Sequence, residues 1–148
     1  MTLTDTISTT NTISTHDVEA TADADAAITI FVCVTCRAGR PLDLVPVPGA
    51  VLAAATARAA AGTGITVRHV RCLANCNRGL SAAVRRRGAW TYVFGGLDPE
   101  AGGHALIEGA KLFAHSPDGL MPWRGRPDAL KRGLVARTPP FEFAGDTE

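Results

Sequence analysis

The sequence predicts an α/β domain with a mixed sheet, and three observations predict it. Two short β-branched runs, residues 28–34 and 65–70, are joined through an Ala-rich segment of helical length. A hairpin pattern follows around Arg87-Gly88. A helix-start signature, Asp98-Pro99-Glu100, then opens a second segment with helical spacing. The inferred order is strand, helix, strand, strand, strand, helix. Strands joined through a helix lie side by side and parallel, while a hairpin contributes antiparallel neighbours.

Taken in order, residues 28–34 read Ile-Thr-Ile-Phe-Val-Cys-Val, an almost continuous apolar run expected of a strand buried on both faces. Residues 37–48 carry Gly39, Pro41, Pro46 and Pro48 and read as a loop, with Pro48 suited to the first turn of a helix. Residues 51–61 are Ala-rich with Leu52 and stop at Gly62 and Gly64. Residues 65–70 form the second strand and 72–79 a second loop. Residues 80–86 and 89–94 pair as the hairpin, placing Trp90, Tyr92 and Phe94 on one face. Asp98 caps the second helix, Pro99 and Glu100 suit its first turn, and Leu106, Ala110 and Phe113 mark its apolar stripe as far as Ser116-Pro117.

The C-terminal stretch differs. Residues 121–127 are irregular, 127–132 suit one or two helical turns ended by Gly133, and 134–143 run extended through Pro139-Pro140. This stretch is expected to wrap the domain with Trp123 and Leu134 as anchors. The organisation is therefore a disordered tail (1–26), an α/β domain (27–117) and an extension packed on it (118–148). There is no internal repeat.

The chain has 148 residues, 46% of them hydrophobic and 20% charged, enough for one domain with a real core. Its formal net charge of +1 hides an asymmetry. Residues 1–26 hold five acids and no Lys or Arg, so the remainder sets fifteen Lys and Arg against nine acids, a formal +6. A basic body suits an acidic partner or an anionic cofactor. It lacks the concentrated basic stripe of a nucleic-acid binder. No apolar run reaches the length of about 18 residues that suggests a membrane span, and the N-terminus lacks a signal-peptide pattern. The expected compartment is the reducing cytoplasm, where paired cysteines bind metal or do redox chemistry more often than they form structural disulfides.

The cysteines carry the chemistry. Cys33 and Cys36 are separated by two residues, Cys72 and Cys76 by three, with 35 residues between the pairs. Each pair lies just beyond the C-terminal end of a predicted strand. If those strands are parallel neighbours, both pairs emerge at one edge of the sheet, the usual ligand position in open α/β sheets. Four converging thiolates suit a 2Fe-2S cluster with two ligands per iron. They equally suit tetrahedral zinc. A redox dithiol would use Cys33 and Cys36 alone. That use is disfavoured because a Pro- and Gly-rich loop separates Cys36 from the next helix, so no helix dipole reaches the pair. Sulfur ligands exclude hard ions such as magnesium or calcium. Arg37, Arg71 and Arg78 flank the cysteines and are candidates to neutralise the charge of the centre. His69 reads as a packed or internally hydrogen-bonded side chain, and His16, His104 and His115 as incidental. Arg85, Arg86 and Arg87 read as a solvated hairpin tip, with docking of an acidic redox partner as the alternative. No phosphate loop, Gly-x-Ser-x-Gly motif or catalytic carboxylate pair is present.

With Cys72-Leu73-Ala74-Asn75-Cys76 as its closest part, this frame resembles the thioredoxin-like 2Fe-2S ferredoxins, including the small cluster-bearing subunit of respiratory NADH dehydrogenases. The first cysteine pair is tighter than in that group, which keeps zinc open. The chain also resembles a family of small bacterial proteins labelled predicted metal-binding, some of them encoded near cobalamin or cobalt-transport genes. That resemblance rests on Val34-Thr35-Cys36, Arg71-Cys72-Leu73-Ala74-Asn75-Cys76, Pro122-Trp123-Arg124-Gly125-Arg126-Pro127 and Val135-Ala136-Arg137. The ferredoxin resemblance implies a thioredoxin-like fold and a one-electron carrier rather than an enzyme, and the second resemblance implies the four cysteines as ligands and service to cobalamin or cobalt metabolism. The ferredoxin resemblance also implies a redox partner protein and a homodimer as one assembly. A zinc- or cobalt-binding module and a thiol-disulfide oxidoreductase are the alternatives.

Overall fold

The structure, a computed structural model, describes residues 27–147. The expected tail of residues 1–26 lies outside them. The elements are β1 (Ile28–Cys33), α1 (Pro48–Ala60), β2 (Thr66–Val70), a 3-10 turn (Cys76–Arg78), β3 (Ala82–Arg86), β4 (Thr91–Phe94), α2 (Gly102–Ala114), α3 (Asp128–Arg132) and β5 (Leu134–Thr138). One five-stranded sheet runs in the order β2-β1-β3-β4-β5. β1 and β2 are parallel, with Cys33 opposite Val70. The other pairings are antiparallel.

Alternation along the strands sends one set of side chains to the helices. Ile30, Val32, Val84, Tyr92 and Phe94 meet Leu52 of α1 and Leu106 and Phe113 of α2 in a single core. Phe94, Phe113, Leu52 and Leu106 are fully buried, each contributing about 1.5–3 kcal/mol relative to exposure. Tyr92 lies edge-on to Phe113 with ring centroids 5.4 Å apart, and its hydroxyl accepts the Met121 N–H at 2.9 Å. The hairpin turn closes with Ala89 N–H donating to Arg86 O at 3.1 Å. Gly88 has φ +72 there, a conformation that favours a residue without Cβ.

Four expectations are corrected. β1 is not buried on both faces: Thr29 and Phe31 are half-buried, and the exposed Arg68 and Arg85 flank them. Both long helices pack on the opposite face, among the core residues. α2 starts at Gly102 rather than at Pro99. The Asp98 carboxylate accepts the N–H groups of Glu100 and Ala101 at 3.0 and 2.7 Å, so it closes the turn that leads into the helix. A Cβ on Gly103 would lie 2.6 Å from the α1 backbone, so this glycine allows α1 and α2 to touch. His69 is exposed, because β2 is an edge strand.

The last correction concerns the C-terminal stretch. Trp123 is 60% exposed, with the Arg126 and Lys131 cations 5.2 and 5.3 Å from its ring. Met121, Leu130 and Arg126 are the buried anchors instead. Leu134 is half-buried against the core, and the segment it opens continues as a fifth strand on β4. No described helix is long and apolar enough to cross a membrane.

Candidate metal centre

The parallel β1–β2 pair delivers both cysteine loops to the same end of the sheet. Cys33 is the last residue of β1 and is buried, 6% exposed. Its thiol donates to Arg71 O at 3.4 Å, and the Thr35 hydroxyl donates to the same carbonyl. Val34 N–H donates to Val70 O at 2.9 Å. These bonds lace the first loop to Val70 and Arg71, the two residues before Cys72. Cys36 is half-buried, while Cys72 and Cys76 are exposed. All four are free thiols.

Together they line one cavity of about 230 Å³ with Thr35, Arg37, Asn75 and Ser81. At about 30 Å³ per water, this is the space of several waters, enough for a four-atom inorganic core. Among the described residues, no three His, Cys, Asp or Glu side chains form a ready-made single-ion site. The Cys76 thiol is nonetheless pushed above its ordinary value. The Cys72 charge is the main cause, followed by desolvation, a hydrogen bond with Cys72, and the charges of Cys36 and Cys33. Each of the other three sulfurs thus acts on Cys76. A bound cation reverses that penalty, because it favours the deprotonated thiolates.

The second loop is built to aim donors inward. Ala74 has φ +57, unusual for a residue with a Cβ, and its N–H donates to the Cys72 sulfur at 3.1 Å. Asn75 holds the loop to the body by donating to Ser81 Oγ at 2.9 Å and Arg78 O at 3.3 Å. Three glycines let backbone press against the cysteine loops. A Cβ on Gly49 would lie 2.3 Å from Cys33 O, and one on Gly79 would lie 2.0 Å from Cys36 Sγ. One on Gly95 would lie 2.4 Å from Arg78 O. None of these glycines, nor Thr35, Asn75 or Ser81, is marked by the spacing of the cysteines. Gly79, three residues past Cys76, is the one that adjacency to the motif could have flagged.

The three flanking arginines have different uses. Arg37 lines the cavity, and its guanidinium donates to Pro41 O and Leu44 O, both at 3.1 Å, stapling its own loop. Arg78 donates to Arg132 O at 3.2 Å and Leu134 O at 3.4 Å, tying the second loop to the C-terminal segment. Arg71 is exposed, and its carbonyl, rather than its charge, joins the loops.

The family profile described as protein of unknown function (DUF1636) matches residues 30–140. A thioredoxin-like [2Fe-2S] ferredoxin from Aquifex aeolicus shares the fold, with a TM-score of 0.50. The two are 17% identical, over 78% of this chain and 97% of that one. This fold is thioredoxin-like. No curated protein matches the chain.

Proposed function

We propose that this chain, which belongs to the family described as protein of unknown function (DUF1636), holds a 2Fe-2S cluster and carries single electrons. The ligands we assign are Cys33, Cys36, Cys72 and Cys76. The observation that carries the reading is that four free thiols, brought as two pairs by two parallel strand ends, line one cavity. A split of two and two matches the division of ligands in a binuclear cluster. When bound, the cluster would supply reversible one-electron chemistry. The chain supplies the rest. The Ala74 N–H aimed at the Cys72 sulfur favours added negative charge. The buried Cys33 and the packed Gly49 and Gly79 fix the inner side, while the exposed Cys72 and Cys76 leave the outer side open to a partner. The ferredoxin of shared fold is described with the same cluster type. No step of this role makes the chain an enzyme.

We place the carrier in the reducing cytoplasm, where paired cysteines stay free to bind metal, and by the resemblance to proteins encoded near cobalamin genes we assign it to an enzyme that reduces cobalt. A zinc- or cobalt-binding module is the second reading. The two-residue spacing of Cys33 and Cys36 favours it, being common among zinc ligands. A dithiol enzyme gains little support, since residues 37–47 separate Cys36 from the start of α1 at Pro48.

The ligand assignment is tested with Cys72→Ser after anaerobic reconstitution with iron and sulfide. The expected result is loss of most bound iron and of the visible bands. Wild-type iron content with an unchanged spectrum would remove Cys72 from the ligand set.

A further inference from the structure

The region that carries the cysteines is strongly basic. Residues 27–97 contain nine arginines and one carboxylate, Asp43, a formal +8. Residues 98–148 contain eight acids against six Lys and Arg. Of these arginines, Arg37, Arg40, Arg71 and Arg78 flank the cysteines in sequence, whereas Arg85 and Arg86 pair opposite Thr29 and Ile28, at the other end of β1 from Cys33. Arg40 and Arg71 are exposed beside the cavity, and among the described residues no carboxylate pairs with either.

The same rim is apolar at its crest. Leu42 is 84% exposed and Val45 81%, both in the loop between Cys36 and α1, with the exposed Asp43 between them. That loop is not loose: the Arg37 guanidinium staples Pro41 O and Leu44 O. Further bonds run from Arg40 N–H to Arg37 O at 2.9 Å and from Leu44 N–H to Pro41 O at 3.2 Å. Two large apolar side chains are thus held out in water on an ordered loop whose first residues, Arg37, Ala38 and Gly39, line the cavity. Exposed apolar surface rimmed by charge marks a recognition surface.

We propose that the loop formed by residues 37–47, with Leu42 and Val45 at its crest and Arg40 and Arg71 beside it, docks an acidic protein surface with an apolar centre. The inference deepens the electron-carrier reading and rests on it for the reason a partner comes here. Positive charge speeds the encounter and sets orientation, and the apolar crest supplies area that excludes water. Docking at this rim brings the partner against the exposed Cys72 and Cys76 side of the cavity.

The test uses the full chain and a fluorescein-labelled synthetic peptide of alternating Glu and Leu, followed by fluorescence anisotropy. A matching peptide with Lys in place of Glu is the control. The Glu peptide should bind at low salt, weaken as salt rises, and outcompete the Lys peptide. Arg40→Glu with Arg71→Glu should weaken it about tenfold, as two exposed attractions become repulsions. Leu42→Ser with Val45→Ser, which removes apolar area without changing charge, should weaken it comparably. Arg68→Glu with Arg85→Glu, on the open sheet face, should weaken it far less. Unchanged binding in both rim variants, or a loss confined to the sheet-face variant, would overturn the proposal. Iron content is measured on the same preparations. A chain that takes no iron yet binds the peptide at the rim overturns the electron-carrier reading and leaves the docking surface standing.

Discussion

Replacing Gly79 by alanine adds one methyl group where the second cysteine loop leaves for β3. A Cβ there would sit 2.0 Å from the Cys36 sulfur and 3.7 Å from the Cys76 carbonyl oxygen. Ordinary contact begins at 3.4 Å, so the sulfur or the loop must retreat by about 1.4 Å to reach an unstrained separation. The φ of −67 and ψ of 150 at Gly79 lie in a region that alanine also adopts. The cheapest escape is rotation of the Cys36 side chain out of the cavity. For the fold this is a modest overpacking cost, about 1–3 kcal/mol. For a metal centre it is decisive, because ligand distances are held to about 0.2 Å. Gly79→Ala should therefore unfold in urea with at most that loss of stability in the metal-free state. After anaerobic reconstitution it should hold only a small fraction of the wild-type iron and sulfide. A variant that loads to the wild-type level with an unchanged spectrum would refute both Cys36 as a ligand and the geometry that places its sulfur under Gly79.

Three further outcomes are expected. Asn75→Ala removes donors to Ser81 Oγ and Arg78 O, so it should cost about 1–2 kcal/mol in urea unfolding and speed loss of bound metal to a chelator; equal rates would show that Asn75 does not hold the loop. Tyr92→Phe leaves the buried Met121 N–H without its acceptor and should cost about 1–3 kcal/mol by the same assay, whereas a neutral change would contradict the bond. Two backbone N–H bonds, from Ala101 first and then Glu100, hold the Asp98 carboxyl below the usual range. Because the folded-state value is the lower one, its stabilisation is complete above the unfolded value of about 4 and disappears as pH falls through the folded value. A melting series from about pH 6 to about pH 2 should show a shallower acid-side loss in Asp98→Asn than in the wild type, and identical slopes would discount this cap.

Much of the frame was legible because local pattern and long-range packing agree. Residues 28–34 and 65–70 carry β-branched runs around an Ala-rich helix, and that order alone brings the two cysteine pairs to one sheet end. The misreadings occur where pattern underdetermines partners. An apolar strand such as β1 looks the same in sequence whether helices cover one face or both. Residues 134–138 read as extended in sequence, but they pair with a strand about forty residues earlier, and nothing local marks that partner. Trp123 reads as core by residue type, yet Arg126 takes the buried place and the indole stays outside, beside two cations. At the site, the cysteine spacing speaks for itself, whereas the contacts of Gly49, Gly79 and Gly95 exist only once loops remote in sequence meet. The flanking arginines were read as charges near a cluster, but Arg37 and Arg78 also serve as staples on backbone carbonyls, a role that sequence adjacency does not reveal.

The central claim concerns what four thiols around one cavity hold. Metal and sulfide analysis on full-length protein purified without oxygen, with absorption and electron paramagnetic resonance spectra before and after dithionite, tests it most directly. The account predicts about two irons and two sulfides per chain, visible bands that bleach on reduction, and a paramagnetic signal only in the reduced state. A colourless protein with one zinc per chain and no sulfide would contradict it.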